Sequence, residues 1–145
     1  MTRNLEELWQ AYRATTFGAM LPDGFVGIRI GARCLPLETE LSTRKLSTWA
    51  YITASNPGSK LLSEQENQER HRKLVGTLED LRCPFFEGSG VPDDAGWPPE
   101  VSLLVLGIDQ QQAVGVGRQF GQVAIVWGVS GDAAELIECQ PESSL

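Results

Sequence analysis

A chain of 145 residues with 41% hydrophobic and 21% charged residues has the size and composition of one soluble domain, and we expect residues 1–145 to form a single domain. The net charge of −7 and the scattered basic residues disfavour nucleic-acid binding, because duplex DNA binders usually carry a basic stripe. The sequence has no run of about 18 apolar residues, and its charged N-terminus lacks the apolar segment of a signal peptide, so we expect a cytoplasmic protein with no membrane span.

Cysteine and histidine usage argues against a disulfide framework and a metal site. Cys34, Cys83 and Cys139 are an odd number of cysteines and have no C-x-x-C spacing, unlike disulfide-rich domains and zinc ribbons. His71 is the only histidine in the chain, so a multi-histidine metal site cannot form. We therefore expect no metal and no cofactor.

Apolar patterns predict one helix and four strands in the order of the chain. Apolar side chains at helical spacing predict an amphipathic helix over residues 4–14. Residues 24–31 alternate in polarity and predict a strand with two different faces. Three continuous apolar runs, at 48–54, 102–108 and 122–128, are typical of strands buried on both faces.

Capping residues predict two further helices. The segment 63–82 begins at Ser63 and carries Glu66 three residues later, which is the pattern of a capping box. The segment 110–120 follows Asp109, a favourable N-cap residue.

Two weaker patterns complete the predicted fold. Residues 84–90 and 134–139 predict further strands, and residues 140–145 predict a frayed tail. The order of elements predicts an α/β domain with a mixed central sheet of about five to six strands and flanking helices.

The predicted sheet suggests where a ligand would bind. Ligands tend to lie beyond the carboxyl ends of parallel strands. If the strands at 48–54, 102–108 and 122–128 are parallel neighbours, the loop around Asn56 meets Asp109 and the end of the third strand there.

The helix predicted over 63–82 brings polar residues toward that loop. Its leucine stripe, projected toward its N-terminus, places three polar side chains on the same face, so that the candidate ligand-binding residues are Asn56, Ser59, Asn67, Arg70 and His71. In one interpretation Arg70 grips an anion and the helix dipole adds positive charge. In the other, the first turns of the helix are solvated, or Asn67 and Arg70 only hold carbonyl groups of the loop.

A catalytic role is a separate hypothesis. His71 is the one imidazole that could transfer a proton near neutral pH, with Glu87 as a second candidate acid or base. The sequence contains no G-x-S-x-G motif, and no hydrolase triad can be assembled from it.

A long Gly/Pro/Asp segment at 87–100 predicts a loop, of which residues 88–99 would cover the site. Asp93 and Asp94 fit either a hard-cation site or ordinary turn formation, and turn formation is the commoner role of adjacent aspartates. Trp97 fits either a cover for the core or a stacking platform.

Three stretches together resemble a known family: "WAYITASNPGSKLLSEQENQERH", "GWPPEVSLLVLGI" and "RQFGQVAIVWG". They are similar to a bacterial family known as domain of unknown function 3293, and the likeness runs from "YRATTF" to "AELIEC". The resemblance implies a small soluble bacterial protein without an established activity. Its motif positions include Asn56, Asn67 and Arg70, which supports their assignment to a site. Val123 stands where this family is expected to have Asn, so part of a pocket could differ in this chain.

Two functional hypotheses follow. The first is a domain that binds a small anionic ligand or a nucleotide at the carboxyl ends of the central strands. The alternative is a non-catalytic module that contacts a protein partner through a strand edge or the loop at 97–99, with a purely structural polar cluster. A concave pocket around Asn56 would favour the first hypothesis, and an Arg70 bonded to the protein's own carbonyls would favour the second.

Overall fold

A computed structural model describes residues 5–94 and 96–139 of the chain. Within these residues the chain forms four α-helices, one short 3₁₀ turn and seven strands. In chain order they are α1 (Leu5–Arg13), β1 (Thr15–Leu21), β2 (Gly24–Ile28), α2 (Leu35–Thr43), β3 (Thr48–Thr53), the 3₁₀ turn (Pro57–Ser59), α3 (Glu64–Leu81), β4 (Phe85–Pro92), β5 (Glu100–Leu106), α4 (Gln110–Gln119), β6 (Ala124–Val129) and β7 (Glu135–Glu138).

The two helices predicted from capping residues form where they were expected. Ser63 caps α3, and the reciprocal bonds of a capping box join it to Glu66. Asp109 caps α4 in the same way, with Gln112 in the partner position. The tail predicted at 140–145 lies outside the described residues.

The sheet is antiparallel, and it is larger than predicted. Its strand order is β2-β1-β4-β5-β3-β6-β7, and every neighbouring pair runs antiparallel. The prediction of a mixed sheet of about five to six strands is corrected on both points. Continuous apolar runs indicate burial on both faces, and an antiparallel sheet with helices on both faces produces the same pattern. The direction of the strands therefore could not be inferred from the continuous apolar runs.

The sheet curls, and this creates an inner and an outer face. An isolated parallel bridge joins Ile30, just after β2, to Ala134, just before β7, although β2 and β7 are the two edges of the sheet. A single apolar cluster spans the sheet from Val26 on β2 to Val126 on β6, so this is the enclosed face. We call it the inner face and the opposite one the outer face.

Helices pack on both faces. On the outer face, Leu74 and Leu78 of α3 and Val116 of α4 join a second apolar cluster. On the inner face, Leu37 and Leu41 of α2 are fully buried near the start of β3. The outer face of β1, β2 and β4 keeps large apolar side chains exposed, namely Met20, Phe25 and Val91. No helix in the described ranges has the length and apolar character needed to cross a membrane.

Candidate functional site

Strand direction decides which residues meet at the Asn56 loop. Thr53, at the end of β3, pairs with Ser102, near the start of β5. The end of β3 therefore lies beside the starts of β5 and β6. Asp109 and Gly128 lie at the opposite end of the sheet, where Trp49 pairs with Leu106 and Gly128. The convergence predicted for parallel strands is thus wrong for the residues that follow β5 and end β6.

Asn56 is the centre of a hydrogen-bond network. It is 4% exposed and adopts the left-handed conformation (φ 48°), which asparagine tolerates better than most residues. Its Oδ1 accepts bonds of 2.9 Å from the Leu62 N–H and from Asn67 Nδ2, and its own N–H donates to Asn67 Oδ1 at 2.9 Å. Its Nδ2 donates to Glu100 Oε2 at 2.8 Å. Asn56 therefore fixes the loop, α3 and the start of β5 relative to one another.

Arg70 reaches from α3 to two backbone carbonyls. Its Nε donates to the Ala54 oxygen at 2.6 Å, and its Nη2 donates to the Phe120 oxygen. Gln122, 5% exposed, donates from Nε2 to the Ser55 oxygen at 3.0 Å. These bonds hold the loop against the C-terminal end of α4. With two sides of its guanidinium bonded to carbonyls, Arg70 has the contacts of a structural clamp.

The 3₁₀ turn packs closely against the end of α4 through backbone contacts. The Gly58 N–H donates to the Gly121 oxygen at 2.8 Å. A Cβ added to Gly121, whose φ is +71°, would lie 2.9 Å from Pro57 Cβ. The close approach and the positive φ both require glycine at this position.

His71 faces the outer side of the sheet, away from the Asn56 network. Its Nε2 lies 2.8 Å from Glu87 Oε1 on β4. Its Nδ1 is buried and has no hydrogen-bond partner in the described structure. Because a carboxylate only accepts hydrogen bonds, a neutral ring in this pair carries its proton on Nε2 and leaves Nδ1 as a buried lone pair. The geometry thus gives a substrate no access to the basic nitrogen.

A cavity of about 510 Å³ lies on the inner face, at the end of the sheet opposite α2. Its floor is formed by β1, β3, β5 and β6, and its walls by α1 and the segment that follows β4. Of the five predicted site residues, Asn56 and Ser59 line it, and Asn67, Arg70 and His71 do not. Its aromatic and polar lining also includes Tyr12, Tyr51, Trp97, Glu100, Ser102 and Gln122.

Fixed polar groups lie at the Asn56 end of this cavity. Glu100 Oε2 accepts from Trp97 Nε1 at 3.0 Å as well as from Asn56. Tyr51 donates its hydroxyl proton to the Gly18 oxygen at 2.6 Å. Burial raises the pKa of this phenol well above its usual range; a hydrogen bond with Ser102 opposes the rise and the charge of Glu100 adds to it. Tyr51 therefore remains a neutral donor at physiological pH.

The segment between β4 and β5 is shorter than the predicted loop, because β4 extends to Pro92. Side-chain contacts fix it at both ends. Arg29 grips Asp93 with a two-pronged ion pair at 2.9 and 3.0 Å. At the other end Trp97 bonds Glu100. Asp93 is thus an ion-pair partner of Arg29, whereas Asp94 lines the cavity. Trp97 therefore lines the cavity and also donates a hydrogen bond to the Glu100 carboxylate.

Sequence reasoning missed four residues of the cavity floor and wall: Tyr12, Tyr51, Ser102 and Gln122. It named Trp97 as a cover for the core or a stacking platform, and Glu100 as the last residue of the 87–100 loop. The signal that could have found Glu100 is a carboxylate at the start of β5, a strand that is otherwise apolar except for Ser102. Gln122 gave a similar signal, as a polar residue between a glycine and the apolar run of β6.

The fold and the cavity define a small α/β protein with a concave cavity on the inner face of a curled antiparallel sheet. The chain belongs to the family described as "Protein of unknown function (DUF3293)", whose model matches residues 52–125, just over half of the chain. The matched region runs from β3 to β6 and includes the Asn56 network. No curated protein and no solved structure matches this chain.

Proposed function

We propose that this protein binds a small organic molecule in the inner-face cavity. The observation that carries the proposal is the cavity itself, since about 510 Å³ lies within the range of about 300–1,000 Å³ that is typical of ligand pockets.

The distribution of polar groups supports binding. Asn56, Ser102 and Gln122 are 4%, 2% and 5% exposed, and each is held by hydrogen bonds to the protein. Rigid polar groups at one end of a cavity that also has apolar walls orient a ligand at low entropic cost. Tyr12 and Trp97 supply aromatic surface at the walls.

Of the sequence-based hypotheses, ligand binding near Asn56 is retained, with a different set of residues. The contacts of Arg70 and Asn67 agree with the structural role that the alternative hypothesis gave to the polar cluster. A structural cluster and a binding cavity are compatible here, because Asn56 lines the cavity, whereas Asn67 and Arg70, which do not line it, hold the loop in place.

The experiment is a ligand screen against a cavity-filling variant. Ala124 is 4% exposed and lines the cavity, so Ala124→Leu would place three extra carbons in it. A fragment library of neutral, cationic and anionic compounds is screened by saturation-transfer NMR against wild type, Ala124→Leu and the control Ala32→Leu, in an exposed turn. Ala11→Phe fills the cavity from α1 and serves if Ala124→Leu does not fold.

We expect fragments that bind wild type and Ala32→Leu but not the filled variants. A wild type that binds no fragment, or fragments that bind the folded filled variants equally well, would refute the proposal.

A further inference from the structure

The hydroxyl groups on the floor of the cavity carry a second inference, which rests on the proposed function. Tyr51, Thr53 and Ser102 all line the cavity. Thr53 on β3 pairs directly with Ser102 on β5, and Tyr51 lies two residues before Thr53, so the alternation of side chains along a strand puts all three on the inner face. From their hydrogen bonds we infer that this floor acts as an acceptor and binds a hydroxyl or N–H group of the ligand.

Each of the three hydroxyl groups donates its proton to a backbone carbonyl of the protein. The three bonds are Tyr51 to Gly18 at 2.6 Å, Thr53 to Val101 at 2.7 Å and Ser102 to Glu100 at 2.9 Å. A hydroxyl group has a single proton to donate and two acceptor lone pairs. An oxygen whose proton is donated within the protein can therefore only accept a hydrogen bond from a ligand.

Tyr51 and Ser102 offer the acceptors, because Thr53 Oγ1 already accepts the Ser55 N–H at 3.0 Å. Ser102 is also close enough to Tyr51 for the two side chains to share a hydrogen bond. The single Ser102 proton can go either to Tyr51 or to the Glu100 carbonyl, and in both cases it stays within the protein. Tyr51 and Ser102 are 4% and 2% exposed, so little bulk water reaches them and a ligand group beside them must match their hydrogen bonding.

A ligand that only accepts hydrogen bonds would meet lone pairs on this floor. To donate to such a ligand, Tyr51 would have to release the Gly18 carbonyl, and a buried carbonyl that loses its donor costs free energy. A ligand hydroxyl or N–H group adds a hydrogen bond and breaks none. The floor therefore favours alcohols and N–H heterocycles over ketones and ethers of the same size. This selectivity follows from the direction of the hydrogen bonds and is independent of the net charge of the cavity.

The test compares neutral ligands of the same size that differ in this respect. Cyclohexanol and cyclohexanone form one pair, and indole and benzofuran form the other. The first member of each pair has an O–H or N–H group, and the second has none. All four are titrated into wild-type protein by NMR, and we expect the donor to bind about tenfold more tightly in each pair.

Two variants locate the accepting oxygen. Ser102→Ala and Tyr51→Phe each remove one hydroxyl group and keep the rest of the side chain. We expect the preference for the donor to fall to about threefold or less in the variant that lacks the accepting oxygen. The matched control is Ser89→Ala, at an exposed position of β4 outside the cavity lining, which should keep the wild-type preference. The comparison of ligands in wild type requires neither variant to fold.

The outcomes separate the two proposals. If no probe and no fragment binds wild type, or if binding survives in a folded Ala124→Leu variant, the cavity is not a ligand site and both proposals fail. If filling the cavity abolishes binding but cyclohexanone and benzofuran bind as tightly as their partners, only the inference about the acceptor floor fails, and donors such as the second amide proton of Asn56 would set the specificity. It fails equally if folded Ser102→Ala and Tyr51→Phe both keep the wild-type preference.

Discussion

Replacing Arg70 with methionine tests whether this residue is a structural clamp. Methionine keeps most of the apolar stem and removes the guanidinium, so the Ala54 carbonyl loses its 2.6 Å donor and the Phe120 carbonyl loses Nη2. Phe120 retains a weaker donor, Gln122 Nε2 at 3.4 Å. Hydrogen bonds to charged groups contribute about 1.5–3 kcal/mol each. Because Arg70 is half-buried and one carbonyl keeps a partner, we expect a loss of about 2–4 kcal/mol in the free energy of unfolding.

The assay is urea unfolding followed by tryptophan fluorescence, with calorimetry as a second method. For a chain of this length the expected loss corresponds to a fall in Tm of roughly 8–15 °C. Arg72→Met is the matched control, on the same helix and two residues further on. Arg72 is exposed, and among the described residues its one ion-pair partner is Glu69 on the same helix, at 2.5 Å, so its removal should leave the midpoint unchanged. Arg70→Lys should recover less than half of the loss, because one ammonium group cannot reproduce the geometry of the guanidinium fork.

Ligand affinity of the Arg70→Met variant is the second measurement of this test. A folded Arg70→Met protein should keep its affinity for a cavity ligand within about twofold, because Arg70 lies outside the cavity lining. The structural role of Arg70 is refuted if Arg70→Met unfolds at the wild-type urea midpoint. It is refuted as well if the variant keeps full stability and loses ligand affinity, since Arg70 would then belong to a binding site.

Two further predictions concern packing and thiol chemistry. Gly88→Ala should destabilise the protein by about 3 kcal/mol or more, because the added Cβ would lie 1.9 Å from the Gly18 backbone oxygen. Gly90→Ala is the control and should be tolerated, since the nearest atom to its added Cβ is 3.6 Å away. Comparing the Tm of the two variants with that of wild type tests this prediction. Burial raises the pKa of Cys139 to about 11, so iodoacetamide at pH 8 should label this thiol only as the protein unfolds. Labelling is followed by mass spectrometry, and rapid labelling of Cys139 in the native protein would contradict its buried position.

The elements that could be predicted are those that carry their own local signals. The capping boxes at Ser63 and Asp109 fix the starts of α3 and α4 through hydrogen bonds within one turn of helix, which any context preserves. The apolar runs of β3, β5 and β6 likewise follow from burial on both faces. Missing from the prediction were β1 and α2. In β1, "TTFGAML", the buried residues Phe17, Ala19 and Leu21 alternate with Gly18 and Met20, which are not polar, so the strand has no clear polar face. The helix α2 is short, and its N-cap residue, Cys34, makes no side-chain capping bond.

Strand direction and side-chain partners are non-local, and they account for the difference between the predicted and the observed site. Antiparallel pairing brings the starts of β5 and β6, rather than their ends, next to the end of β3. Glu100 therefore bonds Asn56, and Gln122 bonds the Ser55 carbonyl, at separations of 44 and 67 residues along the chain. The helix periodicity of α3 correctly put Asn67 and Arg70 on the face toward the loop, but only the three-dimensional contacts show that both side chains hold the loop in place.

The stretches that suggested the family have a common location in the fold. Asn56 from the first, Trp97 and Glu100 from the second, and Gln122 from the third all lie at the Asn56 end of the cavity. Val123, the position where the family was expected to carry Asn, is not among the described residues that line it. Its neighbour Ala124 faces the cavity, and consecutive residues of an extended chain point to opposite sides. Its backbone oxygen accepts the Cys139 N–H at 2.8 Å, a bond that is independent of the side chain. The exchange of Asn for Val at this position therefore leaves the described cavity wall intact, and the ligand-binding proposal for this chain does not depend on it.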